Sequence, residues 1–134
     1  MRFKFSNRSK TILGRAHPLL QTLFETVIAH PDLPHDITVM CSTRTKKEQN
    51  ALFDIGTSKL RFPHSKHNLT PSMAVDVAPY VGGLSWDWKH YHALAPIVKR
   101  VWDEMDVDTH DLEWGGDWKS FPDGPHWQIV PKKA

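Results

Sequence analysis

A single cysteine, Cys41, in 134 residues excludes an internal disulfide framework and removes the thiolate sets that build most structural zinc sites. No run of the chain approaches the roughly 20 apolar residues that a membrane span requires, so no membrane insertion is expected. The first eight residues, Met1-Arg2-Phe3-Lys4-Phe5-Ser6-Asn7-Arg8, are too charged for a secretory signal. A product held in the cytoplasm then needs another route to any external target. Repeats, low-complexity tracts and linkers are absent as well. The charge balance is slight, +2 with a pI near 8.7, a weak tilt toward anionic surfaces such as a cell wall or nucleic acid. Lys and Arg are scattered rather than gathered into a stripe, which argues against nucleic acid as a partner. The same scatter disfavours a magnesium-dependent nuclease, despite the clustered His and Asn of His64-Ser65-Lys66-His67-Asn68.

What is present suits one soluble domain spanning 1–134, since 40% hydrophobic and 24% charged residues are ordinary globular proportions and the length allows a sizeable core. Leu19, Leu20, Leu23, Phe24, Val27 and Ile28 recur at helical spacing between Pro18 and His30. Ile37 to Cys41 alternates like a strand, which makes Cys41 a buried apolar thiol. Thr45-Lys46-Lys47-Glu48 has the form of a capping box, opening a helix that Gly56 ends. Thr57 to Leu69 lacks a period and reads as a long loop that delivers His67.

Met73 to Ala78 alternates again, with Ala74, Asp76 and Ala78 on one face. Gly82-Gly83 marks a turn, and Tyr91 to Met105 a third helix in which Pro96 either bends the axis or marks its regular start. Leu112 to Trp114 and His126 to Val130 read as short strands around Gly115-Gly116. Helices and strands mix without βαβ alternation, so the class is α+β: a small, mainly antiparallel sheet flanked by about three helices. No long apolar stripe is left over, and a monomer is expected.

Two imidazoles and a carboxylate, His67, His126 and Asp76, form a set that leaves a zinc ion one position short of four, where a water can be activated for hydrolysis. Asp123, three residues before His126, is either a turn residue in Phe121-Pro122-Asp123-Gly124-Pro125 or a general base for that water. His64 competes as a ligand but stands beside Pro63 in the loop. Arg44, at a strand end, is a surface cation or an oxyanion stabiliser. Trp86, Trp88, Trp114 and Trp118 stand near turns, where core packing and ligand contact are both open. A zinc ion that only braces the fold is disfavoured by the open position and by Asp123 beside it.

The segments Ser42-Thr43-Arg44-Thr45 with Gln49, Ser65-Lys66-His67, Ala74-Val75-Asp76-Val77-Ala78-Pro79-Tyr80, Trp114-Gly115-Gly116-Asp117-Trp118 and Asp123-Gly124-Pro125-His126-Trp127 occur in an order that covers nearly the whole chain. In that order the chain resembles the zinc peptidases of family M15, the D-Ala-D-Ala carboxypeptidase and dipeptidase group. Within it, the chain is most similar to phage endolysins that cleave the L-alanyl-D-glutamate bond of peptidoglycan. The resemblance implies a Hedgehog/DD-peptidase-like fold, with Zn²⁺ held by His67, Asp76 and His126. It implies Asp123 as catalytic acid/base, Arg44 on the scissile carbonyl, and Trp114, Trp118 and Gln49 as substrate-binding. Stem peptides of the bacterial wall would be the partner, reached from the host cytoplasm through a separate holin-like protein. A D-alanyl-D-alanine carboxypeptidase is the alternative. Here His67 and Asp76 are nine positions apart, two more than in the family's Ser-x-His-x-x-Gly-x-Ala-x-Asp run, with Thr70-Pro71-Ser72 in place of the glycine region. An outward bulge of this loop is expected to leave both ligands in place.

Overall fold

The computed structural model describes residues 3–132. Among these, four strands form one antiparallel sheet in the order β1-β2-β4-β3, with β1 at Asp36–Cys41, β2 at Ala74–Tyr80, β3 at His110–Trp114 and β4 at His126–Pro131. The helices are α1, Asn7–Leu13; α2, Pro18–Ile28; α3, Lys46–Asp54; and α4, Trp88–Met105. Single 3-10 turns occupy Lys66–Asn68 and Gly115–Asp117. The α+β class and antiparallel sheet agree with the expectation from the sequence, and α1 is an additional helix.

Alternation explains the layering. Val75 and Val77 of β2, Val39 of β1, and Trp127 and Ile129 of β4 turn to the core face. There they meet Leu20, Leu23, Phe24 and Val27 of α2 and Leu94 and Val98 of α4. Phe24 and Trp127 make an edge-on contact with ring centroids 6.3 Å apart. Pro96 lies within α4 on its exposed side, where the carbonyl left without a partner can turn to water. Edge strand β1 packs against α1, and Ser9 Oγ accepts the Val39 N–H at 3.1 Å, which protects an edge that would otherwise be open to pairing. α1 escaped sequence reading because it is short and buries only Ser9 and Leu13, too few positions to show a period.

Two local devices position the other face. Thr45 and Glu48 form the expected capping box at the start of α3, and Gly56 follows that helix with φ +80°, a conformation that favours glycine. In the β1–β2 ladder, Val39 pairs with Val77 but Cys41 with Asp76, so Met40 is the extra residue of a bulge.

Because Phe24 is fully buried between α2 and the sheet, Phe24→Ala is expected to lower the unfolding free energy by about 3–5 kcal/mol. Denaturant titration followed by tryptophan fluorescence measures this.

Candidate metal centre and cleft

Strand register makes the centre. Asp76 stands directly opposite His126 across the β2–β4 pair, and such partners on one face hold their Cβ atoms about 4.5–5.5 Å apart. His67 arrives from the 3-10 turn. That turn is closed by Ser65 Oγ accepting from the His67 N–H at 3.2 Å and by Asn68 Oδ1 accepting from the Ser65 N–H at 3.0 Å. The long loop bulges away between fixed ends: the Met73 N–H returns to the Lys66 carbonyl at 3.2 Å, and Ser72 Oγ donates to the Ser42 carbonyl at 2.7 Å. The nine-position spacing therefore does not separate His67 from Asp76.

His67 Nε2, His126 Nδ1 and Asp76 Oδ1 form a triangle with edges of 3.3, 3.3 and 3.4 Å. Ligands about 2.0–2.1 Å from a tetrahedral zinc lie about 3.3–3.4 Å from one another. The far nitrogen of each ring is engaged: His67 Nδ1 lies 2.7 Å from the Ser42 carbonyl, and His126 Nε2 lies 2.8 Å from Gln128 Oε1. Both acceptors take a proton from the ring, which leaves the inward nitrogens as lone-pair donors in the neutral rings. Asp76 Oδ1 is buried and lacks a hydrogen-bond partner, whereas Oδ2 faces Arg44 at 3.3 Å. An orphaned carboxylate oxygen at the apex of two imidazoles fits a divalent cation.

A second set, Cys41 with His67 and Asp76, offers ligand atoms within 4.8 Å of one another. Cys41 is half-buried, not the fully buried thiol the sequence suggests, because the bulge precedes it. Its Sγ lies 3.9 Å from His67 Nδ1, the nitrogen already hydrogen-bonded to Ser42. The His126 triangle is tighter and has its nitrogens free.

Burial disfavours charge on both His67 and Asp76, but each stabilises the other. The net result holds Asp76 well below the usual carboxylate range and raises His67 to about 10. Asp123 is pushed up by burial and then by Asp76, against the pull of His126, His67 and Arg44. Asp123 shares a cleft of about 540 Å³ with the three converging residues, Arg44 and Trp118. Its backbone is tied to the Gly115 carbonyl at 2.9 Å. A Cβ on Gly115 would run into the Asp123 carbonyl and meet His126 Cβ at 3.0 Å, so glycine there lets the two segments approach.

Arg44, Trp118, Asp123, His67, Asp76 and His126 thus gather at one site. Trp114 and Gln49 do not face it. Trp114 pairs with Trp127 across β3–β4, stacks on that ring at 5.6 Å, and donates from Nε1 to the Gly124 carbonyl at 2.7 Å; it belongs to the core. Gln49 is fully buried: its Oε1 accepts from Arg44 at 2.9 Å, and its Nε2 donates to Ser58 Oγ and the Leu60 carbonyl at 2.8 and 2.6 Å. It positions Arg44 and the 57–60 loop rather than a substrate. His64 lines the cleft outside the triangle. Trp86, left open between core and ligand contact by the sequence, lines the cleft, and sequence reading missed Phe121, Lys59 and Lys66 there; the segments that carry them have no period to reveal their direction.

A cation entering the triangle must displace the His67 proton. Calorimetric titration of Zn²⁺ into metal-free protein, in buffers of differing ionisation enthalpy, is expected to show about one proton released per ion near pH 7.5. The affinity should weaken by about tenfold per pH unit on acidification. An affinity unchanged between pH 6 and 8 would contradict the assignment.

Comparison with known proteins gives the family. Residues 1–129 match the family described as phage L-alanyl-D-glutamate peptidase. The chain is 32% identical over 107 residues to the peptidoglycan L-alanyl-D-glutamate endopeptidase CwlK of Bacillus subtilis (strain 168). That match covers 72% of this chain and 62% of CwlK, so the chain spans under two thirds of that relative. The crystal structure of the Serratia marcescens L-Ala D-Glu endopeptidase ChiX superposes with a TM-score of 0.75 at 28% identity, covering 96% of this chain and 91% of that one. With its family match running almost end to end, the chain belongs to the phage L-alanyl-D-glutamate peptidase family.

Proposed function

We propose that this chain is a zinc-dependent endopeptidase that hydrolyses the L-alanyl-D-glutamate bond of peptidoglycan stem peptides, with 1–134 acting as one monomeric catalytic domain. The observation that carries the reading is the 3.3–3.4 Å triangle of His67 Nε2, His126 Nδ1 and Asp76 Oδ1, which is open to a cleft holding a second carboxylate. Zinc, when bound by these three residues, would supply the Lewis acidity that makes a water nucleophilic near neutral pH and polarises a carbonyl.

The protein's own groups do the rest. Asp123, with its affinity for protons raised by burial, takes a proton from the attacking water and returns it to the departing amine. Arg44 is held at the cleft by Gln49 and Asp76, with guanidinium N–H groups to spare for the carbonyl oxygen as negative charge develops there. Trp118, its ring 5.1 Å from that of His126, shields the centre and packs the peptide. A phage-type lysin that meets the wall after a holin-like protein opens the membrane is proposed on the family alone.

Asp123→Ala is expected to keep one zinc per chain and lose at least about 10²-fold in hydrolysis, whereas His126→Ala loses metal and activity together. Metal analysis beside a peptidoglycan digest separates the two, and a fully active Asp123→Ala would overturn the mechanism. Mass spectrometry of the digest should find new D-glutamate amino termini. Release of D-alanine alone would instead indicate a carboxypeptidase.

A further inference from the structure

The cleft has a charge pattern that the hydrolytic residues do not use. Apart from Asp76 and Asp123, no acid among the described residues lines it, and Arg44 is already bound to Asp76. The remaining titratable side chains on its wall, Lys59, His64 and Lys66, are basic. Among the described residues none of the three has an acidic partner, although Arg61 in the same loop is paired with Asp54 at 2.8 Å. Lys59 instead holds its Nζ 4.9 Å from the centroid of the Phe121 ring, which joins the two rims of the cleft. Lys66 is the best placed. It is half-buried and next to His67 in the chain, and its backbone is fixed by the Ser65–Asn68 box and by the Met73 N–H.

The proposed substrate carries a matching group. In an L-alanyl-D-glutamate bond the glutamate nitrogen is acylated, and the peptide continues through only one of the two glutamate carboxyl groups. The other is left as a carboxylate a few bonds from the scissile nitrogen, unless it is amidated. A carboxylate brought into a partly desolvated cleft is costly unless a cation meets it.

We propose that Lys66, supported by Lys59 and His64, binds the free carboxylate of the glutamate residue and thereby selects D-glutamate over its carboxamide. This rests on the peptidase reading above. Lys66 is a specificity residue: it meets the substrate away from the bond that breaks.

The test uses two synthetic wall peptides that differ only in this group, carboxylate or carboxamide. kcat/KM is measured on each for the zinc-loaded wild type, Lys66→Gln and Lys66→Arg, and affinity for each is measured with Asp123→Ala. The wild type is expected to prefer the carboxylate by roughly tenfold, as for loss of one hydrogen bond to a charged group. Lys66→Gln should lose most of that preference, Lys66→Arg should restore it, and added salt should narrow it. The ratio of the two substrates cancels any general loss of folded protein. Equal cleavage of both peptides by the wild type, or a preference that survives Lys66→Gln, overturns the carboxylate site and leaves the peptidase reading standing. If neither peptide is cleaved but Asp123→Ala binds the carboxylate form more tightly, the peptidase reading fails and the site stands.

Discussion

Asp76 Oδ1 is a buried carboxylate oxygen that receives no hydrogen bond and faces two imidazole nitrogens at 3.3 and 3.4 Å. Such an atom is tolerated only where positive charge compensates it. Asp76 raises the proton affinity of His67 for this reason, and a cation held in the triangle would supply the same compensation. Much of the surrounding architecture fixes this one oxygen relative to its neighbours. The β2–β4 register sets Asp76 against His126, the 3-10 turn presents His67, and Arg44 holds the other carboxylate oxygen so that Oδ1 points inward.

A second ring of contacts makes that arrangement rigid. The Ser42 carbonyl takes up both His67 Nδ1 and Ser72 Oγ at 2.7 Å, so one backbone oxygen ties strand β1 to both ends of the loop between His67 and Asp76. His126 leans on Gln128, whose Nε2 donates to Glu113 on the next strand at 2.7 Å. Gln49 links Arg44 to the 57–60 loop and thus couples the cleft rim to the centre. Orientation of ligands by such partners governs both tautomer and basicity. Close approach at Gly115 brings Asp123 into the same cleft, where burial and the neighbouring Asp76 make it a ready proton carrier.

Much of this was legible in the chain. Alternation around Asp76 gave the strand and its face, the capping box gave the start of α3, and motif order gave the residues that converge. The errors have physical causes. Trp114 was expected in the cleft because the resemblance places the Trp114–Trp118 segment there. Yet it pairs with Trp127, and Trp127 alternates with His126, so whatever lies opposite Trp127 turns to the core. Gln49 sits on the buried side of a short helix with little apolar content, which no hydrophobic period could reveal. The bulge at Met40 rotates Cys41 out of the simple alternation. Loop residues such as Lys59, Lys66 and Phe121 have directions set by tertiary contacts alone.

In the proposed enzyme two imidazoles and one carboxylate, with no sulfur, share a single zinc ion. X-ray absorption at the zinc edge of the loaded protein tests it most directly. The expected spectrum has nitrogen and oxygen neighbours at about 2.0–2.1 Å with the outer scattering of two imidazoles. A sulfur scatterer at about 2.3 Å would bring Cys41 into the shell and contradict it.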